Sequence, residues 1–121
     1  MKESILKSKS FKFAVRIVNL YKYLCKEKQE FVLSKQVLRC GTSVGAMVRE
    51  AEHSESKADF IHKLAIAQKE INETLYWLEL LSETEYITTT EFDIINTDAV
   101  EIIKMLTSSI KTAKQSLTTN H

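Results

Sequence analysis

Two short stretches hold the side chains with the most chemical potential. Glu50-Ala51-Glu52-His53 sets a carboxylate three residues before an imidazole, and Asp59-Phe60-Ile61-His62 repeats the spacing with Asp in place of Glu. Residues at i and i+3 share a helix face. Two such elements, joined by a carboxylate from each of two further helices, build the di-metal site of some helical bundles. The pattern here stops short of that. Both elements flank a predicted turn at one pole of the molecule, where water competes for ligands, and no inward pair of Glu is apparent on the other helices. They read as solvated charges near helix ends, so no metal and no cofactor is expected.

Nucleophilic chemistry has less to work with. Cys25 and Cys40 lie on or beside apolar stripes, where a thiol is usually a small core residue. None of the three His has a motif-like spacing to either Cys. Ser43 lacks the glycine flanks of a nucleophile elbow, and no glycine-rich phosphate loop is present. No catalytic residue is nominated, and the expectation is a protein that is not an enzyme.

Charge distribution is more informative than net charge. The 121 residues carry a formal net charge of +1. Residues 1–39 hold ten Lys or Arg and three Glu, whereas residues 50–101 hold three Lys and thirteen acids. Residues 102–121 add three Lys and no acid. The ends are basic and the middle is acidic. Phosphate binding needs several cations on one surface, because each neutralised phosphate releases counterions. The nominated cations are Lys2, Lys7, Lys9, Lys12, Arg16, Lys111 and Lys114. No base-reading motif accompanies them.

The elements that must position these residues are helices. There is no proline and there are two glycines, too few for the turns of an all-β fold. Hydrophobic periodicity predicts four helices. The first covers about Lys9 to Lys26, with Phe11, Ala14, Val15, Val18, Tyr21, Leu24 and Cys25 along its inner face, widened by Ile17 and Leu20. The second starts at Ser34, read as its N-cap, and reaches about His53. Gly41 and Gly45 share a face of it, which suggests a close approach to a neighbouring backbone, within the bundle or across a subunit contact. The third opens on a capping box at Ser56-Lys57-Ala58-Asp59 and runs to about Ser82. The fourth starts near Thr90 and ends near Leu117.

Short connections place consecutive helices antiparallel. The expected fold is therefore all-α, an antiparallel up-down-up-down four-helix bundle, in a single domain over residues 1–121. The opening residues lack the apolar run of a signal peptide, and no stretch is long and apolar enough to cross a membrane. A cytoplasmic location with reduced thiols is expected.

The run from Arg39 to Ala51, and the run from Ser56 to Ala67 with Glu70 after it, resemble the 23S rRNA intervening sequence protein family. Ser43, Glu50, Ser56, Asp59 and Phe60 fit that family's pattern, while Met47 stands where its members usually carry Asn. The resemblance covers most of the chain, from the basic first helix through the third. It implies a small bacterial four-helix bundle. Through a similar accessory protein of diversity-generating retroelements, it also implies a homopentamer that contacts nucleic acid. Two functions are thus expected in competition. One is a non-enzymatic oligomer touching RNA or DNA through phosphates. The other is a scaffold that docks a partner protein.

Overall fold

The computed structural model describes residues 2–119, with side chains from 5 to 118. It contains α1 (Lys2–Glu27), α2 (Leu33–Glu52), α3 (Lys57–Glu83) and α4 (Thr89–Thr119), and no strand among the described residues. Each helix packs on its neighbours in sequence, and α4 closes the bundle against α1. The pairings between helices run in opposite order on every contact. Gly45 meets Ser10 and Gly41 meets Ile17 between α1 and α2. Lys63 reaches Glu50, and Arg39 reaches Glu73, between α3 and α2. Lys57 reaches Ser116 and Gln68 reaches Thr107 between α3 and α4. Lys9 pairs with Glu101 and Arg16 with Asp98 between α1 and α4. Adjacent helices are therefore antiparallel.

The inner faces of α2, α3 and α4 supply much of the core. Val37, Val44, Leu64, Ile71, Leu78, Ile102 and Leu106 are completely or almost completely buried. The inner face of α1 differs from the expectation. Leu6, Ser10, Phe13, Ile17, Leu20 and Leu24 are buried, while Phe11 and Val15 stay 53% and 46% exposed. Both choices have helical spacing. The face starting at Leu6 wins because it carries a fuller set of large side chains over a helix that begins seven residues earlier than predicted.

The two glycines explain how α1 sits so close to α2. A Cβ on Gly41 would lie 2.9 Å from both Cγ atoms of Ile17, and one on Gly45 would lie 3.3 Å from the Ser10 carbonyl oxygen. The close approach suggested by their spacing is thus a crossing within the bundle. Ile17 is fully buried and stiff at χ1, so it has little room to withdraw.

Helix ends show where local chemistry departs from the simplest reading. Ser34 is not the cap of α2. The N-cap residue is Val32, which makes no side-chain cap. Glu30 does the capping from outside the helix. Its carboxylate accepts from the backbone N–H of Val32 at 3.2 Å, Leu33 at 3.0 Å and Ser34 at 2.7 Å. Ser34 Oγ instead donates to the Glu30 carbonyl at 2.8 Å. Gln29, at φ 54°, ends α1 in the left-handed region, and Glu30 N–H closes back on the Leu24 carbonyl at 3.0 Å. Ser56 caps α3 as expected, accepting from Asp59 N–H at 3.0 Å. At α4 the reciprocal box is Thr88 with Glu91, two residues ahead of the expected start near Thr90.

Burial pushes the Glu30 carboxyl up, but the three backbone donors and Ser34 pull it down further, and the net direction is below the usual carboxylate range. A lowered folded value means the cap stabilises above the unfolded Glu value of about 4.3 and loses that contribution as pH falls through the folded value. Glu30→Gln is expected to cost about 1–2 kcal/mol in urea unfolding at pH 7, with the gap to the parent narrowing as pH falls below the unfolded Glu value. Gly41→Ala gains helix propensity but strikes Ile17, so a net loss of about 1–3 kcal/mol is expected in the same assay.

Candidate interaction surfaces

The basic residues nominated from the sequence fall into two groups: on α1, Lys7 and Lys12 line one groove and Lys12 joins Lys9 and Arg16 in the next, while Lys111 and Lys114 line a separate cleft on α4. Lys7 faces α2, where its Nζ lies 3.3 Å from Glu52. Lys9, Lys12 and Arg16 line the groove between α1 and α4 together with Asp98 and Glu101. There Lys9 is paired with Glu101, and Arg16 Nε sits 3.0 Å from Asp98 Oδ2. Lys111 and Lys114 line a shallow cleft with Gln68, Thr107 and Thr118, on the α3 side of α4. The side chain of Lys2 lies outside the described residues.

Three of these cations thus have carboxylate partners in their own chain. The pairs are solvent-exposed and worth at most about 1 kcal/mol each. Their importance lies elsewhere. A carboxylate beside an ammonium cancels the local field, so an approaching phosphate must displace it. Lys12, Lys111 and Lys114 make no ion pair among the described residues and keep their full field.

The positions that carry the family resemblance have parts in the fold. Ser43 Oγ donates to the Arg39 carbonyl at 2.7 Å. Glu50 accepts from Lys63 at 3.0 Å, which holds the lysine's pKa above its usual value. Asp59 Oδ2 accepts from the Glu55 N–H at 3.3 Å, and Phe60 packs against the core. Glu50 and Asp59 are therefore engaged with an ammonium and a helix end, and no three metal-ligating side chains converge among the described residues. Arg39 ties α2 to α3 by reaching Glu73 and Glu70, the latter at 3.6 Å. Trp77 Nε1 donates to the same Glu73 carboxylate at 3.2 Å. These hydrogen bonds from Trp77 and Arg39 hold the Glu73 carboxyl below the usual range.

Burial pushes the Cys40 thiol up, and its Sγ donates to the Gln36 carbonyl at 2.9 Å. An activated thiol needs the opposite shift.

The surface that sequence reasoning placed inside the bundle is the outer stripe of α1. Phe11 and Val15 project opposite the core, next to a groove lined by Ala14, Thr42, Gly45 and Ala46. The Arg49 guanidinium lies 5.4 Å from the Phe11 ring centroid, a cation–π contact that leaves half of the ring open. Its signal in the sequence was the doubling of α1's apolar positions onto two faces, which a single amphipathic stripe does not need. On the acidic side of the bundle, Tyr76, Ile94 and Val100 are also exposed.

Comparison with known proteins fits this architecture. The 23S rRNA-intervening sequence protein family matches residues 2–108, and the chain belongs to that family. A crystal structure from Bacteroides thetaiotaomicron, described as a protein with unknown function from the S23 ribosomal protein family, is 62% identical. The alignment covers 92% of this chain and 99% of that one, with a TM-score of 0.91. No match was found among curated proteins.

Proposed function

We propose that this protein is a non-enzymatic interaction module that works as an assembly of identical copies. The observation that carries this reading is the outward apolar stripe, Phe11 and Val15, on the most basic helix of a chain whose second half of α3 and first half of α4 are acidic. No Lys or Arg occurs between Lys69 and Lys104, a span with nine acids. Arg39, Arg16 and Lys9 engage four of those acids. Glu79, Glu83, Glu85 and Asp93 make no ion pair among the described residues and stand near Tyr76 or Ile94 in sequence. A basic apolar face on one copy is complementary to an acidic apolar face on the next. Contacts between unlike faces close into rings when the rotation permits. Similarity to the accessory protein of diversity-generating retroelements supports a ring of five copies.

Light scattering is the test. The expected mass is about 70 kDa, five times the 13.9 kDa chain. Phe11→Glu with Val15→Glu is expected to give a helical monomer, since neither side chain belongs to the core. A monomeric parent, or a double variant that stays assembled, contradicts the proposal.

A second reading has its own support in Lys12, Lys111 and Lys114. In a ring these cations repeat around the assembly and would act together on phosphates. The family's description supplies a candidate class of partner, ribosomal RNA. Structured RNA is expected to bind at low salt with little sequence preference, and Lys111→Glu with Lys114→Glu is expected to flatten the salt dependence. A gel-shift series with micromolar protein and no shift removes this reading. Nuclease-resistant recovery of a partner protein would point to the docking alternative.

A further inference from the structure

The cleft between α3 and the C-terminal half of α4 differs in charge from the two grooves beside α1. It encloses about 610 Å³, and Lys111, Lys114, Thr107 and Thr118 of α4 line it together with Gln68 of α3. No carboxylate lines it, and neither lysine makes an ion pair among the described residues. In the α1–α4 groove, by contrast, Asp98 and Glu101 occupy Arg16 and Lys9. On the α2 side of α1, Glu52 occupies Lys7.

The acids nearest this cleft in sequence are turned to other helices. Glu70 and Glu73 engage Arg39 of α2, and Glu101 pairs with Lys9 of α1. No Asp or Glu follows Glu101. Lys104 is exposed, makes no ion pair among the described residues, and stands two helical turns before Lys111 on the same side of α4. Lys104, Lys111 and Lys114 therefore form a row about 15 Å long with no opposing carboxylate in it. Gln68 Nε2 donates to Thr107 Oγ1 at 3.0 Å and ties the two walls together under that row.

The lining also limits the kind of anion. Single-stranded nucleic acid is held by stacking its bases on aromatic or guanidinium planes as well as by its charge. This cleft has no aromatic side chain and no Arg. It offers ammonium groups, hydroxyls and amides, which are donors for phosphate oxygens. A chain of phosphates without bases needs nothing more and is narrow enough to lie between two helices. Phosphates joined through single bridging oxygens are also closer together than those separated by a sugar, which suits Lys111 and Lys114 at one turn apart.

We propose that this cleft binds inorganic polyphosphate, laid along α4 from Lys114 toward Lys104. The last carbonyls of α4 repel an anion beyond Thr118, so the chain extends in the direction of Lys104. The site lies within one copy and requires neither assembly nor RNA.

Isothermal titration calorimetry on the full chain at low salt tests this. The probes are linear polyphosphate, polyglutamate and single-stranded RNA with matched numbers of anionic groups. Polyphosphate is expected to bind tightest, with an affinity that falls steeply with salt. Lys111→Ala with Lys114→Ala is expected to weaken it by about tenfold and to lower the salt slope by about two. Lys22→Ala with Lys26→Ala, which removes two exposed lysines of α1, is expected to leave binding unchanged. Amine labelling read by mass spectrometry is expected to show Lys104, Lys111 and Lys114 protected by polyphosphate, with Lys22 and Lys26 still reactive. The proposal is overturned by an absence of polyphosphate binding, or by polyglutamate or RNA binding as tightly. It is also overturned if the Lys22 and Lys26 variant loses as much affinity, or if protection falls outside the cleft. Light scattering and the RNA gel shift read the two functional proposals separately, so each fails on its own result.

Discussion

The close approach of α1 to α2 across Gly41 and Gly45 is the constraint on which the rest of the structure depends. Two positions without a Cβ let Ile17 and the Ser10 backbone settle directly against α2. That contact fixes the roll of α1. Once Ile17 faces inward, helical spacing carries Leu6, Phe13, Leu20 and Leu24 in with it. The same spacing turns Phe11 and Val15 outward. Each glycine costs helix stability of about 1 kcal/mol, which the fully buried side chains around the crossing offset.

The roll of α1 also decides the electrostatics. Lys9 and Arg16 come to lie on the side facing α4, within reach of Glu101 and Asp98, and Lys7 on the side facing α2 and Glu52. The basic helix is therefore partly neutralised inside its own chain. Among the described residues, charges without an ion pair include cations on α1 and the far end of α4, and acids on the second half of α3 and the first half of α4. This distribution, with exposed apolar side chains beside both charge sets, is what the proposed assembly rests on. The ion pairs leave fewer cations open to the proposed phosphate contact than composition alone indicates.

Much of this was legible in the residues. The 3–4 spacing from Phe60 to Leu81 and from Phe92 to Leu117 marked the inner faces of α3 and α4, although the apolar surface of α3 is broad, and Ser56 announced its helix. The pair of glycines marked a close backbone approach, and the structure places it within the bundle, between α1 and α2. The inner face of α1 was not legible, because Phe11, Val15 and Val18 compete with Phe13, Ile17 and Leu20 at equal spacing, and only packing against Gly41 separates them. The cap on α2 was missed because Glu30 acts from outside the helix while Ser34, the better capping type, turns back to the Glu30 carbonyl. The pairing of Lys7, Lys9 and Arg16 with carboxylates depends on which way each faces, and that follows from the roll of α1.

The most direct measurement of the account is the thiol-labelling rate of Val15→Cys, with both native cysteines replaced by serine, followed over a range of protein concentrations. If α1 is rolled as described and its outer stripe is an assembly surface, the thiol reacts fast in dilute protein and slows as copies associate. A rate that stays fast at every concentration contradicts assembly through this stripe, and a thiol protected even in dilute protein contradicts the orientation of α1 itself.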